Sequence, residues 1–286
     1  MNMNIKAVVP NSITLGNLAC GITGIVLTFH ANMLGAAICM VAAAILDFFD
    51  GLAARALGVS GEFGKQLDSL ADMTTFGVLP GIMLYQYITI GYGEYFMPID
   101  ERPLIHVLLS MSGFLYSLFA ALRLAKFNID TNQSDSFIGV PTPAAALFVA
   151  SFSLILSVQY NVNMYYPLTD AQLGTLMQMN NWSAFDFHLV YNLFYSEWYI
   201  AMSVFLSIMM VAPVTMLNFK FKEMSWAGNK HRYIFLVLVG VLLIITFLPY
   251  WFRISGFPYL DYVVIPLIVL LYMVYSLVVH FTMKKE

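Results

Sequence analysis

The chain has 286 residues, of which 60% are hydrophobic and 10% charged, with a formal net charge of −3. A mean hydropathy of +0.77 excludes a soluble globular domain, which cannot bury that much apolar surface, and puts the chain in the polytopic membrane class. The net charge says little about partners, because charge in such a protein is distributed by membrane side.

Lys6 and Pro10 lead directly into a membrane-length segment without a cleavage pattern, so no cleaved signal peptide is expected. Runs of about 20 apolar residues place eight helices near 13–29, 33–58, 66–90, 104–125, 140–158, 198–218, 233–251 and 260–281. The expected fold is therefore all-α: a polytopic integral membrane helix bundle of about eight transmembrane helices, forming one membrane domain over 1–286. Its parts are a core over about 10–158, an extracytoplasmic aromatic loop over 159–197 and three C-terminal helices within 198–286. The loop has no Lys or Arg but is rich in aromatics, among them Trp182, Tyr191 and Phe194, with Trp198 at its end. Such residues read as an interfacial belt, with a re-entrant or interfacial lid as the alternative. Asn181-Trp182-Ser183 matches a glycosylation sequon, a pattern too short to carry weight.

The chain holds 13 Lys and Arg, and the eight-span count sorts them. Lys6, Arg55, Lys65, Arg123, Lys126, Lys220, Lys222, Lys230, Arg232, Lys284 and Lys285 fall on one side; Arg102 and Arg253 fall on the other. That bias places both termini in the cytoplasm of a cell-membrane protein. Cys20 and Cys39 lie in apolar stretches without CxxC or Cys/His spacing and read as buried free thiols. The five histidines, His30, His106, His188, His231 and His280, are scattered without ligand spacing.

Asp47, Asp50, Asp68 and Asp72 sit inside apolar segments at the cytoplasmic side. Each Asp at a helix centre costs roughly 2.5–3.5 kcal/mol, so four cost about 10 kcal/mol before their mutual repulsion. Asp47 and Asp50 are three apart, Asp68 and Asp72 four apart, so each pair shares a helix face. Side by side, the two helices would converge four hard oxygen donors on one pocket, a set suited to two Mg²⁺ or Mn²⁺ ions. Gly51 and Ala54 clear side chains from beside the acidic face, so a base or phosphate can approach the backbone. Arg55 offers a guanidinium fork to a phosphate oxygen, and Gly58, Gly61 and Gly64 loosen the turn between the acidic helices. Intramembrane aspartates also mark cation transporters, but that reading leaves Gly51, Ala54 and Arg55 at fixed offsets unexplained.

The run D-F-F-D-G-L-A-A-R, eight further residues, then G-K-Q-L-D-S-L-A-D, resembles the signature of the CDP-alcohol phosphotransferase family, membrane enzymes of phospholipid head-group synthesis. All eight signature positions are present. The resemblance implies that Asp47 and Asp68 bridge two metal ions, that Asp50 holds one and Asp72 the other, and that Asp72 also acts as general base. It further implies that P-N-S-I-T places Asn11 and Thr14 near the CDP moiety with Gly51, Ala54 and Arg55, and Gly61 is counted with these substrate contacts. By itself P-N-S-I-T reads only as a helix start with Asn11 or Ser12 as N-cap.

T-L-G-N-L-A-C-G in the first helix, L-R-L-A-K-F-N at 122–128, G-V-P-T-P-A-A-A at 139–146 and F-K-E-M-S-W at 221–226 look like the phosphatidylserine synthase branch of that family. The branch often carries arginine where Lys126 stands here. The implied substrates are CDP-diacylglycerol and L-serine, with Mg²⁺ or Mn²⁺ as cofactor. The alternatives are glycerol 3-phosphate, inositol or an archaeal-type ether lipid in the same chemistry. Arg123 and Lys126 read either as topology anchors or as holders of the serine carboxylate or a lipid phosphate. Pro141 and Pro143 open the fifth helix, where free amides could add to the same anion site. A homodimer is compatible with the pattern, although exposed apolar faces are the norm in lipid and mark no interface.

Overall fold

The computed structural model describes residues 5–59, 61–129, 137–162, 168–180, 182–218, 226–252 and 261–283. Asn181 of the sequon, residues 221–225 of F-K-E-M-S-W, and the topology markers Lys220, Lys222, Arg253, Lys284 and Lys285 lie outside the described residues.

The first helix, α1 (Ile5–Phe29), buries a seven-residue pattern: Pro10, Thr14, Asn17, Gly21, Gly24, Thr28 and Ala31 are all buried along one stripe. A stripe of small and short polar residues lets neighbouring backbones come close, which is how helices pack in lipid, where apolar bulk gives no preference for protein over solvent. α2 (Met33–Ala56) runs back beside α1, capped by Asn32, whose Oδ1 accepts the Gly35 N–H at 2.8 Å. The helix ends in a Schellman motif: Gly58 N–H donates to Arg55 O and Val59 N–H to Ala54 O, with Gly58 at φ +63°. α3 (Glu62–Asp72) continues through a π turn (Met73–Val78) into α4 (Leu79–Gly91), making one helical path. The π turn frees carbonyls, and α6 (Gly113–Ile129) supplies their donors: Tyr116 OH to Phe76 O at 3.1 Å and Ser117 Oγ to Gly77 O at 2.9 Å. On its other side Thr75 Oγ1 donates to Asn17 O at 3.2 Å, and a Cβ on Gly21 would stand 2.3 Å from that hydroxyl. The acidic helix is thus seated against α1 at backbone contact.

α5 (Leu104–Ser110) precedes α6; α7 (Thr142–Leu154) ends in a second π turn (Ile155–Gln159). Then follow α8 (Asp170–Asn180), α9 (Ala184–Asn192), α10 (Ser196–Val211), α11 (Trp226–Phe252) and α12 (Val264–Met283). The one strand pairing among the described residues is antiparallel, β1 (Phe137–Ile138) with β2 (Thr215–Met216). The main buried cluster lies where α2, α4, α7 and α10 meet, around Met40, Met83, Tyr87, Val149 and Tyr199.

The all-α membrane fold holds, and four expectations need correction. Among the described residues six helices are long and apolar enough to cross a membrane, or seven if the α9–α10 pair, bent by 73°, is one span. The eighth expected crossing, 66–90, is the α3–α4 path, which starts with Lys65, Asp68 and Asp72 and is broken by the π turn. α1 is already helical at Ile5 and carries Pro10 within it, so neither Asn11 nor Ser12 caps it; Ser12 Oγ instead donates to Val8 O. The expected helix 198–218 stops at Val211, because Pro213 follows and 212–218 turns into β2. The loop 159–197 contains two short helices, and its aromatics divide. Trp182 and Phe194 are buried, with Trp182 edge-on to Tyr160, whereas Trp198 is 55% exposed and alone among these reads as a belt residue. Tyr160 OH donates to the buried Asp186 at 2.6 Å, which ties the start of α9 to the end of α7.

Candidate active site

Three elements build the acidic site: the end of α2, the start of the α3–α4 path, and the polar stripe of α1. Spacings of three and four put Asp47 with Asp50, and Asp68 with Asp72, on the inward faces of α2 and α3. The Gly58 turn reverses the chain between them, so the two pairs meet. One carboxylate oxygen each from Asp47, Asp50 and Asp68 lies within 4.8 Å of the others. The Asp72 carboxyl reaches hydrogen-bonding distance of Asp47, so the fourth acid joins the three from one helical turn further along α3.

The surrounding groups orient this set without neutralising it. Thr14 Oγ1 donates to Asp50 Oδ2 at 2.6 Å, and Asn17 Nδ2 points at Asp72 Oδ1 at 3.4 Å. Among the described residues none of the four carboxylates has an ion-pair partner. Asp68 Oδ1 is buried with no hydrogen-bond partner, although a buried carboxylate oxygen left unmatched is costly. Converging hard oxygens with an unmatched buried lone pair fit a divalent cation such as Mg²⁺ or Mn²⁺, which takes carboxylate oxygen ligands.

The other expected site residues fall into three groups. Gly51 and Arg55 are adjacent in space as well as sequence, since a Cβ on Gly51 would lie 3.5 Å from Arg55 Nη1, and Ala54 is half-buried beside them. Asn11 faces Gly64: a Cβ there would stand 3.4 Å from Asn11 Oδ1. Gly61 is exposed at the N-cap of α3 in extended backbone, with open space at its Cβ position, so packing sets no requirement for glycine there. Arg123 and Lys126 share a pocket with Phe127, Ile138, Met210 and Val211, formed between the end of α6, β1 and the end of α10. Arg123 is 8% exposed and its Nε is buried without a partner, which does not suit a surface anchor, whereas Lys126 is exposed at the pocket's edge. Arg123 is within electrostatic reach of Asp72, so the pocket adjoins the acidic site.

Sequence reasoning missed the residues that hold the acids in place. Asn17 is one turn beyond Thr14, and the 11, 14, 17 periodicity of short polar residues in an apolar helix was the available signal. Asn128 fixes α3 to α6: it exchanges hydrogen bonds with Ser69 at 2.8 and 3.0 Å, and its carbonyl accepts from Lys65 Nζ at 3.1 Å. Only the three-dimensional approach of α6 reveals that role.

The family described as CDP-alcohol phosphatidyltransferase matches residues 7–179. Among curated proteins, the CDP-diacylglycerol–serine O-phosphatidyltransferase of Bacillus subtilis is 36% identical over 153 residues, covering 54% of this chain and 77% of its own length. The protein of the same name from Helicobacter pylori is 32% identical over 229 residues, covering 76% of this chain and 88% of its own. An archaetidylserine synthase of Methanothermobacter thermautotrophicus is 34% identical over 148 residues, 51% of this chain and 57% of its own.

Proposed function

Since the chain belongs to the CDP-alcohol phosphatidyltransferase family, we propose that this integral membrane enzyme transfers a phosphatidyl group from CDP-diacylglycerol to the hydroxyl of L-serine, giving phosphatidylserine and CMP. The observation that carries the reading is the convergence of Asp47, Asp50 and Asp68 within 4.8 Å, with Asp72 alongside. Relatives named for serine as acceptor support the choice of alcohol.

Asp47, Asp50, Asp68 and Asp72 would hold two Mg²⁺ or Mn²⁺ ions. When bound, the metal neutralises negative charge on the diphosphate and on the departing CMP. Asp72 takes the proton of the serine hydroxyl; the serine oxygen bonds to the diacylglycerol-bearing phosphorus as the bond from that phosphorus to CMP breaks. The Asn17 amide aims the Asp72 carboxylate, and Thr14 fixes Asp50. Asn11, Gly51, Ala54, Arg55 and Gly61 are assigned to the CDP moiety, with the Arg55 guanidinium lying over Gly51 as its phosphate contact. The serine carboxylate goes to Arg123, with Lys126 at the pocket's edge and the free first-turn amides of α7 adding positive dipole. In this reading 10–158 carries the catalysis and 198–286 supports it.

The test is a headgroup screen with purified protein, CDP-diacylglycerol and Mn²⁺, offering serine, inositol or glycerol 3-phosphate in turn. CMP release with serine alone is expected; release with inositol or glycerol 3-phosphate instead rules serine out. EDTA should abolish turnover, and full activity after exhaustive chelation removes the metal reading. An ether-linked CDP-lipid belongs in the same screen, since one relative is named for archaetidylserine. The basic-residue bias supports a cytoplasmic site and cytoplasmic termini. Cysteine labelling from outside should therefore reach a probe at 175 but not at 228, and the reverse overturns the orientation.

A further inference from the structure

The pocket that contains Arg123 is walled by residues from a part of the chain that the family match, ending at 179, does not reach. Met210 and Val211 end α10, and Ile138 belongs to β1, so the wall depends on how the 209–218 segment lies against 137–140. Four contacts set that register. Phe137 pairs with Met216 and Ile138 with Thr215; Gly139 N–H donates to Val214 O at 2.9 Å and Val140 N–H to Met209 O at 3.0 Å. The approach is close enough to demand glycine: a Cβ on Gly139, at φ +72°, would stand 2.1 Å from Met210 O.

The far side of the same segment is held by one face of α12. Tyr272, Ser276 and His280 are spaced by four and so lie along one line of the helix. Each bonds a different backbone group: Tyr272 OH donates to Leu217 O at 3.0 Å, Ser276 Oγ accepts from Leu217 N–H at 3.2 Å, and His280 Nδ1 accepts from Thr215 N–H at 3.2 Å. From α11, Arg232 Nε donates to Asn218 O at 2.6 Å. A two-residue strand pairing is too short to hold itself, so these side chains set where β2 lies, and β2 sets where β1 and the pocket wall lie. Tyr272 is also within electrostatic reach of Arg123 itself. Beside that wall, Arg123 Nε and, at the start of α7, Thr142 Oγ1 are buried and unpartnered, as expected of groups kept for a ligand.

We infer that Tyr272, Ser276 and His280 are positioning residues for the acceptor pocket: through the 215–218 backbone they hold its wall at the distance that lets Arg123 grip the acceptor's carboxylate. The inference rests on the proposed reading that this pocket takes the amino-acid acceptor. It assigns the C-terminal helices to acceptor affinity and leaves the CDP-lipid and metal sites independent of them.

Steady-state kinetics on the purified full-length protein test it, varying serine and CDP-diacylglycerol separately at saturating Mn²⁺. Ser276→Ala and His280→Phe should each raise the serine KM by about three- to tenfold, the range for one lost hydrogen bond, with kcat and the CDP-diacylglycerol KM within about twofold. His280→Asn, whose Oδ1 can accept the Thr215 N–H in place of Nδ1, should restore the serine KM. An unchanged serine KM in both variants, an equal rise in both KM values, or an Asn variant as impaired as the Phe variant overturns the inference. Arg123→Ala separates this from the reading beneath it. If that variant raises the serine KM while the α12 variants do not, the pocket stands and the clamp falls. If Arg123→Ala leaves the serine KM unchanged, the pocket is not the acceptor site and both fall.

Discussion

The helix Thr142–Gln159 and the helix Asn229–Leu248 are both apolar enough to cross a bilayer, but they sit in the protein in opposite ways. The first has a mean hydropathy of 1.6 and 61% of its residues buried; the second has 2.3 and 11%. The more apolar helix is the less buried one. Their side chains explain it. In α7 the buried positions are Ala145, Ala146, Ala150, Ser151 and Ser153 among larger partners, so neighbouring helices can approach its backbone. α11 presents Val237, Val241, Ile244 and Ile245 to the outside, a surface that lipid satisfies as well as protein would. In a membrane, hydropathy reports length across the bilayer, and small residues report packing.

The largest effect expected of that division is in the packed half, at Asp72. Asp72→Asn should lower kcat by about 10²–10⁴ with CDP-diacylglycerol still bound, and added Mn²⁺ should not restore the rate. Recovery with metal would make Asp72 a ligand only and move the base elsewhere. Thr14→Val removes the donor to Asp50 and should raise the Mn²⁺ concentration for half-maximal rate by about tenfold or more, read from a metal titration of activity. Ala146→Leu adds bulk to a site that is 0% exposed and should destabilise by about 1–3 kcal/mol, seen as a lower thermal midpoint in detergent. Ile244→Ala, on a residue 61% exposed, should leave that midpoint within the change equivalent to about 0.5 kcal/mol, because the side chain meets lipid in the folded and unfolded states alike. Equal destabilisation by Ala146→Leu and Ile244→Ala would break the comparison, and point to a partner surface on α11.

The same division explains what could be read from the chain. The aspartate quartet was legible because charge inside an apolar run is costly and its spacing fixes a face; the structure brings those four together as the spacing required. Thr14 beside Asp50 followed from a resemblance, and Asn17 beside Asp72 only from periodicity that went unused. The number of crossings was less legible, since a helix carrying Asp68 and Asp72 at one end and a π turn within it is not a uniform apolar span. The β1–β2 pairing was invisible: two residues give no alternation to detect. Tyr272, Ser276 and His280 stand at clear helical spacing, yet polar residues on an apolar helix do not say which backbone they meet. Burial of Trp182 and Phe194 inside the aromatic segment was likewise a matter of tertiary contact, with Tyr160 as one partner.

The π turn that follows Asp72 has a consequence for how this protein can change over evolutionary time. A π turn accommodates one residue more than the α-helix it interrupts, so deleting one residue within 73–78 would restore regular winding and turn α3 by about 100° relative to α4. Asp68 and Asp72 would then swing away from Asp47 and Asp50, while the buried face of α4 kept its place. The extra residue acts as an angular offset between two functions of one helix, catalysis below and packing above. Sequences aligned across this segment should therefore tolerate substitutions at Met73 or Thr74 far better than any change in length.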